Sequence, residues 1–149
     1  MPIYHWLDQV VFQCLEKTSL IFHNSKLNFR LFQELSLRFA YSLQDRGLQK
    51  EDRIILKLPN CPQFAVTFFG SLRVGIISVP LNPQFTSREL VYCLNDLEPK
   101  LIFTLNSFKD KVKRAIYLSS PKAKMVIIKH TDIFNYLKGK KIFLIRPGM

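Results

Sequence analysis

A chain of 149 residues, 48% apolar and 13% aromatic, carries enough core material for one folded domain and is not of the disordered class. Its formal net charge of +11 leaves nucleic acid, anionic lipid and polyphosphate open as partners. Cys14, Cys61 and Cys93 are odd in number and form no Cys-x-x-Cys pair, so neither a disulfide framework nor a zinc ribbon follows from them.

The N-terminus, Met-Pro-Ile-Tyr-His-Trp-Leu-Asp, lacks the basic-then-apolar order of a secretory signal, and a cytoplasmic location is expected. Tyr4 to Leu15 reads as a short helix, with Trp6, Leu7, Val10, Val11 and Cys14 apolar. Ser19–Phe22 and Lys26–Phe29 flank His23-Asn24-Ser25 as two strands of a hairpin. Leu31 to Arg46 is the clearest helix, because Phe32, Leu35, Phe39, Ala40 and Leu43 recur at steps of three and four. Gly47 ends it, since glycine adopts the left-handed position after a helix at low cost.

Arg53–Leu58 follows as a strand stopped by Pro59-Asn60. Asn60 is the expected cap of a helix from Cys61 to Arg73, apolar nearly all round and therefore buried on more than one side. The stretch from Phe64 to Leu81 is too interrupted, by Gly70, Arg73, Gly75 and Pro80, to span a membrane. Ile76–Val79 is a strand ended by Pro80. Thr86-Ser87-Arg88-Glu89 fits a capping box opening a helix to Leu97. Lys100–Thr104 is a strand, Asn106 or Ser107 caps a helix through Tyr117, and Lys124–Ile128 is a further strand. Thr131–Leu137 reads as one or two helical turns and Lys141–Ile145 as another strand. The fold class is thus α/β, a mostly parallel sheet with helices on both faces, preceded by a short helix and a β-hairpin. No repeat or linker divides residues 1–149, which read as a single domain.

The order of punctuation carries a resemblance. The run Gly-Leu-Gln-Lys-Glu-Asp-Arg-Ile-Ile-Leu-Lys-Leu-Pro-Asn, from Gly47 to Asn60, is similar to a glycine-Asp-Arg turn and strand ending in Pro-Asn. Gly75-Ile76-Ile77-Ser78-Val79-Pro80-Leu81-Asn82-Pro83 is followed at fitting distances by Thr86-Ser87-Arg88-Glu89-Leu90 and Pro99-Lys100-Leu101-Ile102-Phe103-Thr104. Together, over about residues 18–130, these resemble the N-terminal part of the AMP-forming acyl-CoA synthetase, luciferase and peptide-synthetase adenylation superfamily. Glu51 stands where that family usually has glycine, and Leu31 where it has a capping threonine whose role Asn28 could take. Beyond Asp132 the resemblance is not followed, and residues 131–149 form a divergent basic tail.

The resemblance implies ATP-dependent activation of a carboxylic acid, a fatty acid by default, with ATP, magnesium and coenzyme A as cofactors of the full-length family. That chemistry gathers phosphate charge beside a carboxylate and requires a donor-rich glycine loop and cations. Gly47, Gly70, Gly75, Gly139 and Gly148 include no two within three residues, and Leu137–Lys141 offers one glycine with no hydroxyl. No catalytic, cofactor-binding or metal residue is assigned; His5, His23 and His130 are scattered, and Asp52 and Arg53 read as turn residues. The expected function is a truncated or split N-terminal part of an acyl-CoA synthetase, inactive alone. Its partner would be a second polypeptide carrying the rest, with self-association through uncovered apolar surface.

The alternative is a stand-alone binding module that holds an anionic partner on its basic C-terminal segment. Residues 1–108 net only +2, whereas 109–149 hold 11 Lys/Arg against Asp110 and Asp132, a net of +9. The simpler reading is that basic side chains coat the exposed side of a terminal segment, and no specific nucleic acid is expected.

Overall fold

The computed structural model describes residues 3–129; the expected elements at 131–137 and 141–145 lie outside them. Helix α1 (Ile3–Cys14) leads into an antiparallel hairpin of β1 (Thr18–Phe22) and β2 (Ser25–Asn28), then helix α2 (Phe29–Asp45). The remainder alternates: β3 (Arg53–Lys57), α3 (Pro62–Arg73), β4 (Ile77–Pro80), α4 (Ser87–Leu97), β5 (Leu101–Leu105), α5 (Lys109–Leu118) and β6 (Lys124–Ile128). The four later strands form one parallel sheet in the order β4-β3-β5-β6.

Strand β3 explains why the sheet is covered twice. Ile54, Ile55 and Leu56 are all fully buried, although consecutive side chains point to opposite faces. Ile54 and Leu56 join Leu101, Phe103 and Val126 against α2 and α3, where Phe39 meets Phe103 edge-on at 5.2 Å. Ile55 and Ile102 pack instead with Leu90 and Leu94 of α4 and Val112 and Ala115 of α5. A strand buried on both faces needs crossover helices on both, which the alternating connections supply.

Helix α2 starts two residues earlier than its apolar period suggests. The Asn28 side-chain oxygen accepts the Leu31 N–H at 2.9 Å, so Asn28 is the cap and Phe29 turns helical instead of extending the strand. Helix α3 differs too. Cys61, not Asn60, is its cap residue, without a side-chain hydrogen bond, and Pro62 opens the helix because first-turn amides lack partners. No residue of α3 is exposed, and its closest approach is made by small ones. A Cβ at Gly70 would lie 2.6 Å from Ser36 O and 2.8 Å from the Phe39 ring, so α2 and α3 pack nearer than alanine would permit.

Arg73, at the end of α3, ties three helices together. It donates to both Asp8 oxygens, at 2.6 and 3.0 Å, and through Nε to Ser36 Oγ at 3.1 Å. Its side chain is 8% exposed, so the charge is held by these partners and by the Tyr4 ring beneath it. Pro80 belongs to β4 instead of stopping it, which an edge strand tolerates because one side of its backbone needs no donor. Asn106–Phe108 winds as a 3-10 turn, and α5 begins after it without a side-chain cap, so neither Asn106 nor Ser107 serves as one.

The turn into β3 depends on Asp52. Its carboxylate accepts the Gln49 N–H at 2.7 Å and the Lys100 ammonium at 2.8 Å, contacts that hold it below the usual carboxylate range. Asp52 N–H closes back on Gln49 O at 3.1 Å, which places Glu51 third in the turn at φ +71°. That left-handed position suits glycine and costs an L-residue roughly 1–2 kcal/mol. Glu51→Gly is therefore expected to raise stability by about 0.5–1 kcal/mol after glycine's chain-entropy cost. Urea unfolding measures this; a lower midpoint would show that the Glu51 side chain makes a compensating contact.

Candidate functional site

In this strand order, the chain leaves β3 toward β4 on one side and returns across to β5 on the other. The reversal lies between β3 and β5, and open α/β sheets place ligand crevices at such a point, beyond the carboxyl ends of the strands. The last residues there are Lys57 and Thr104, which are register partners. Both are fully buried and point to the α4–α5 side, as Ile55 and Ile102 do two residues earlier.

A lysine at zero exposure needs a reason. The Lys57 ammonium donates to the carbonyl oxygens of Pro83, Phe85 (3.2 Å) and Asn82 (3.5 Å), and lies 5.1 Å from the Phe108 ring centre. It is the anchor of the β4–α4 loop, the segment that contains Pro80-Leu81-Asn82-Pro83. The loop is braced at its other end by a complete capping box. Thr86 N–H donates to Glu89 Oε2 at 2.7 Å while Glu89 N–H donates to Thr86 Oγ1 at 3.3 Å. Within the loop, Asn82 Oδ1 accepts the Gln84 N–H at 2.9 Å. Thr104 Oγ1 has no hydrogen-bond partner among the described residues.

This edge is a built support, and its charge is already engaged. The Lys57 donors face three backbone carbonyls, which leaves no ammonium hydrogen directed at a phosphate. The positive-φ glycines, Gly47 and Gly75, belong to turns at the opposite end of the sheet, and Gly70 is a helix-packing residue. A glycine-lined phosphate cradle is therefore absent among the described residues, and these residues do not fit a nucleoside triphosphate.

The cysteines are free. Cys61 sits at a helix N-terminus, where thiolates are often stabilised, yet burial dominates and pushes its thiol up. Cys93 is raised by burial and by Asp96. Among the described residues no three metal-ligating side chains gather. Arg53 Nε donates to Leu97 O, closing the end of α4, so Asp52 and Arg53 are both turn and capping residues. Sequence reasoning passed over Lys57. Its signal was one charged residue inside Ile-Ile-Leu-Lys-Leu, at a strand position whose neighbours all bury.

Burial pushes the Lys57 ammonium below the ordinary lysine value of 10.5, with Lys111 adding repulsion and Glu89 opposing it. Because the folded value lies below the unfolded one, the unfolded chain holds the proton more tightly. Stability should rise as pH climbs through the folded value toward 10.5. Lys57→Met should lose that alkaline rise and cost about 1–3 kcal/mol at neutral pH, since three carbonyls lose a charged donor. Urea unfolding as a function of pH checks both; identical pH profiles for the two proteins would contradict the assignment.

The family model for "AMP-binding enzyme" matches residues 7–141. A long-chain-fatty-acid–CoA ligase of Bacillus subtilis is 42% identical over 91 residues, covering 61% of this chain and 16% of its own. The corresponding ligase of Escherichia coli O157:H7 is 34% identical over 110 residues, 73% of this chain and 20% of its own. The 4-coumarate–CoA ligase 1 of Petroselinum crispum is 34% identical over 115 residues, or 76% and 21%. Among solved structures, a benzoate CoA ligase from Burkholderia xenovorans LB400 superposes with a TM-score of 0.82 at 18% identity, over 100% of this chain and 30% of that one. The N-terminal domain of FACL13 from Mycobacterium tuberculosis superposes at 0.79 with 20% identity, over 95% and 37%. The chain spans about a fifth of the length of the curated relatives it matches, and it belongs to the AMP-binding enzyme family.

Proposed function

We propose that this chain is the scaffold portion of an ATP-dependent fatty-acid–CoA ligase, and that it does not carry out adenylation by itself. The observation that carries the reading is the carboxyl edge of the sheet. Lys57, the cation that the described residues place at the switch point, is engaged with Asn82, Pro83 and Phe85, so the edge braces a loop and does not receive phosphates. ATP, magnesium, coenzyme A and the acyl group would be held by protein segments outside residues 3–129, in the same chain or in a second polypeptide. Fatty acid is the acyl class in the names of the Bacillus subtilis and Escherichia coli relatives, the first of them the more similar at 42% against 34% for the 4-coumarate–CoA ligase.

Two further features support a role within a larger assembly. Trp6 and Phe12 of α1 are 61% and 88% exposed, apolar area that a complementary segment would cover and that would otherwise favour self-association. Three free cysteines fit a reducing compartment, the cytoplasm in the simplest case. Among the described residues no helix is long and apolar enough to cross a membrane.

ATP–pyrophosphate exchange with a long-chain fatty acid tests the proposal. The chain alone should give no exchange above background, and exchange should appear when it is co-expressed with the remaining portion of a matched ligase such as that of Bacillus subtilis. Fatty-acid-dependent exchange by the chain alone would overturn the reading.

A further inference from the structure

The basic excess read from the sequence at residues 109–149 is already present within the described fold. Seven Lys/Arg and one acid, Asp110, lie between Lys109 and Lys129. Helix α5 carries Lys111, Lys113 and Arg114 exposed, and a cleft opens on each of its flanks. One, of about 1030 Å³, lies at the amino-terminal end of β5 and β6 and is lined by Arg46, Lys100, Lys113, Lys122 and Lys124. The other, of about 500 Å³, lies toward the start of α4 and is lined by Arg88, Lys111 and Arg114. Among the described residues no Asp or Glu lines either one.

Lys122 and Lys100 are among these cations that have internal partners. Lys122 donates to the carbonyls of Ile116, Tyr117 and Ser119, closing the end of α5, and Lys100 pairs with Asp52. At the end of the ridge between the clefts stand Tyr117, 82% exposed, and Leu118, 55% exposed. The surface is thus a basic helix face, with an aromatic and an aliphatic side chain exposed and cation-lined clefts on both sides.

We propose that the α5 ridge docks on an anionic lipid surface, with headgroup phosphates in the two flanking clefts and Tyr117 and Leu118 at the interface. Charge complementarity selects an anionic partner. The exposed pair selects lipid over nucleic acid: an interfacial tyrosine and an aliphatic suit the headgroup boundary, whereas single-strand binding calls for a row of stacking rings and this face exposes one. The inference stands on this face alone and is independent of the proposed ligase role. Failure of pyrophosphate exchange leaves it untouched.

The test is sedimentation of the full chain with vesicles of phosphatidylcholine alone and with vesicles that also contain phosphatidylglycerol, an anionic lipid that attracts a polybasic face. Binding should require the anionic lipid and weaken as salt rises. The triple variant Lys111→Glu, Lys113→Glu, Arg114→Glu should bind at least about tenfold more weakly, whereas Lys26→Glu on the distant hairpin should bind as the parent does. Tyr117→Ser with Leu118→Ser should weaken binding a few-fold while leaving its salt dependence intact. These positions are exposed, so melting curves close to the parent's are expected and confirm that folding is retained. Equal binding to neutral vesicles, no loss in the triple variant, or tighter binding to a DNA duplex than to anionic vesicles would each overturn the proposal.

Discussion

The structure depends on a strand that has no outside. With Ile54, Ile55 and Leu56 all fully buried, β3 must be covered on both faces and paired on both edges. Parallel neighbours satisfy its backbone, and each parallel connection requires a helix long enough to cross back. Helices α3 and α5 are such crossovers, and α4 returns the chain across the sheet to create the reversal between β3 and β5. Helix α2 then packs on α3 at the distance Gly70 permits, and Arg73 fastens α1 to both.

The same constraint shapes the two ends of the sheet differently. At the amino end, turns carry the geometry: Asp52 holds the entrance of β3, and Gly75 sits at φ +71° where a Cβ would meet Lys50 at 2.8 Å. At the carboxyl end, a buried charge carries it. Lys57 cannot reach water, so it takes backbone carbonyls as partners, and those carbonyls fix the β4–α4 loop. A parallel sheet of this order usually offers that edge to a ligand. Here the edge is a strut, which fits a family whose relatives extend far beyond the matched segment.

Much of this was legible in the sequence because the punctuation is strong. The Thr86–Glu89 capping box, the strand at Lys124–Ile128 and the left-handed Gly47 all fall where their residue types require. The less legible features are those in which tertiary context decides. Phe29 suits a strand until Asn28 caps the helix before it, and Pro80 ends a central strand but not an edge one. Lys57 and Thr104 look like ordinary strand-end polar residues, since only register and burial reveal that they lie side by side on a covered face. The charge excess was visible as a number, but its place on an α5 ridge between two clefts was not, because a count carries no geometry.

The central claim is that the carboxyl edge supports a neighbouring segment and does not itself receive nucleotide. Titrating magnesium-ATP into the isotopically labelled chain while following backbone amide shifts addresses it directly. The account predicts no saturable shifts at Lys57, Asn82, Phe85 or Thr104. Saturable shifts centred on those four residues would show that the edge is a nucleotide site and would contradict the account.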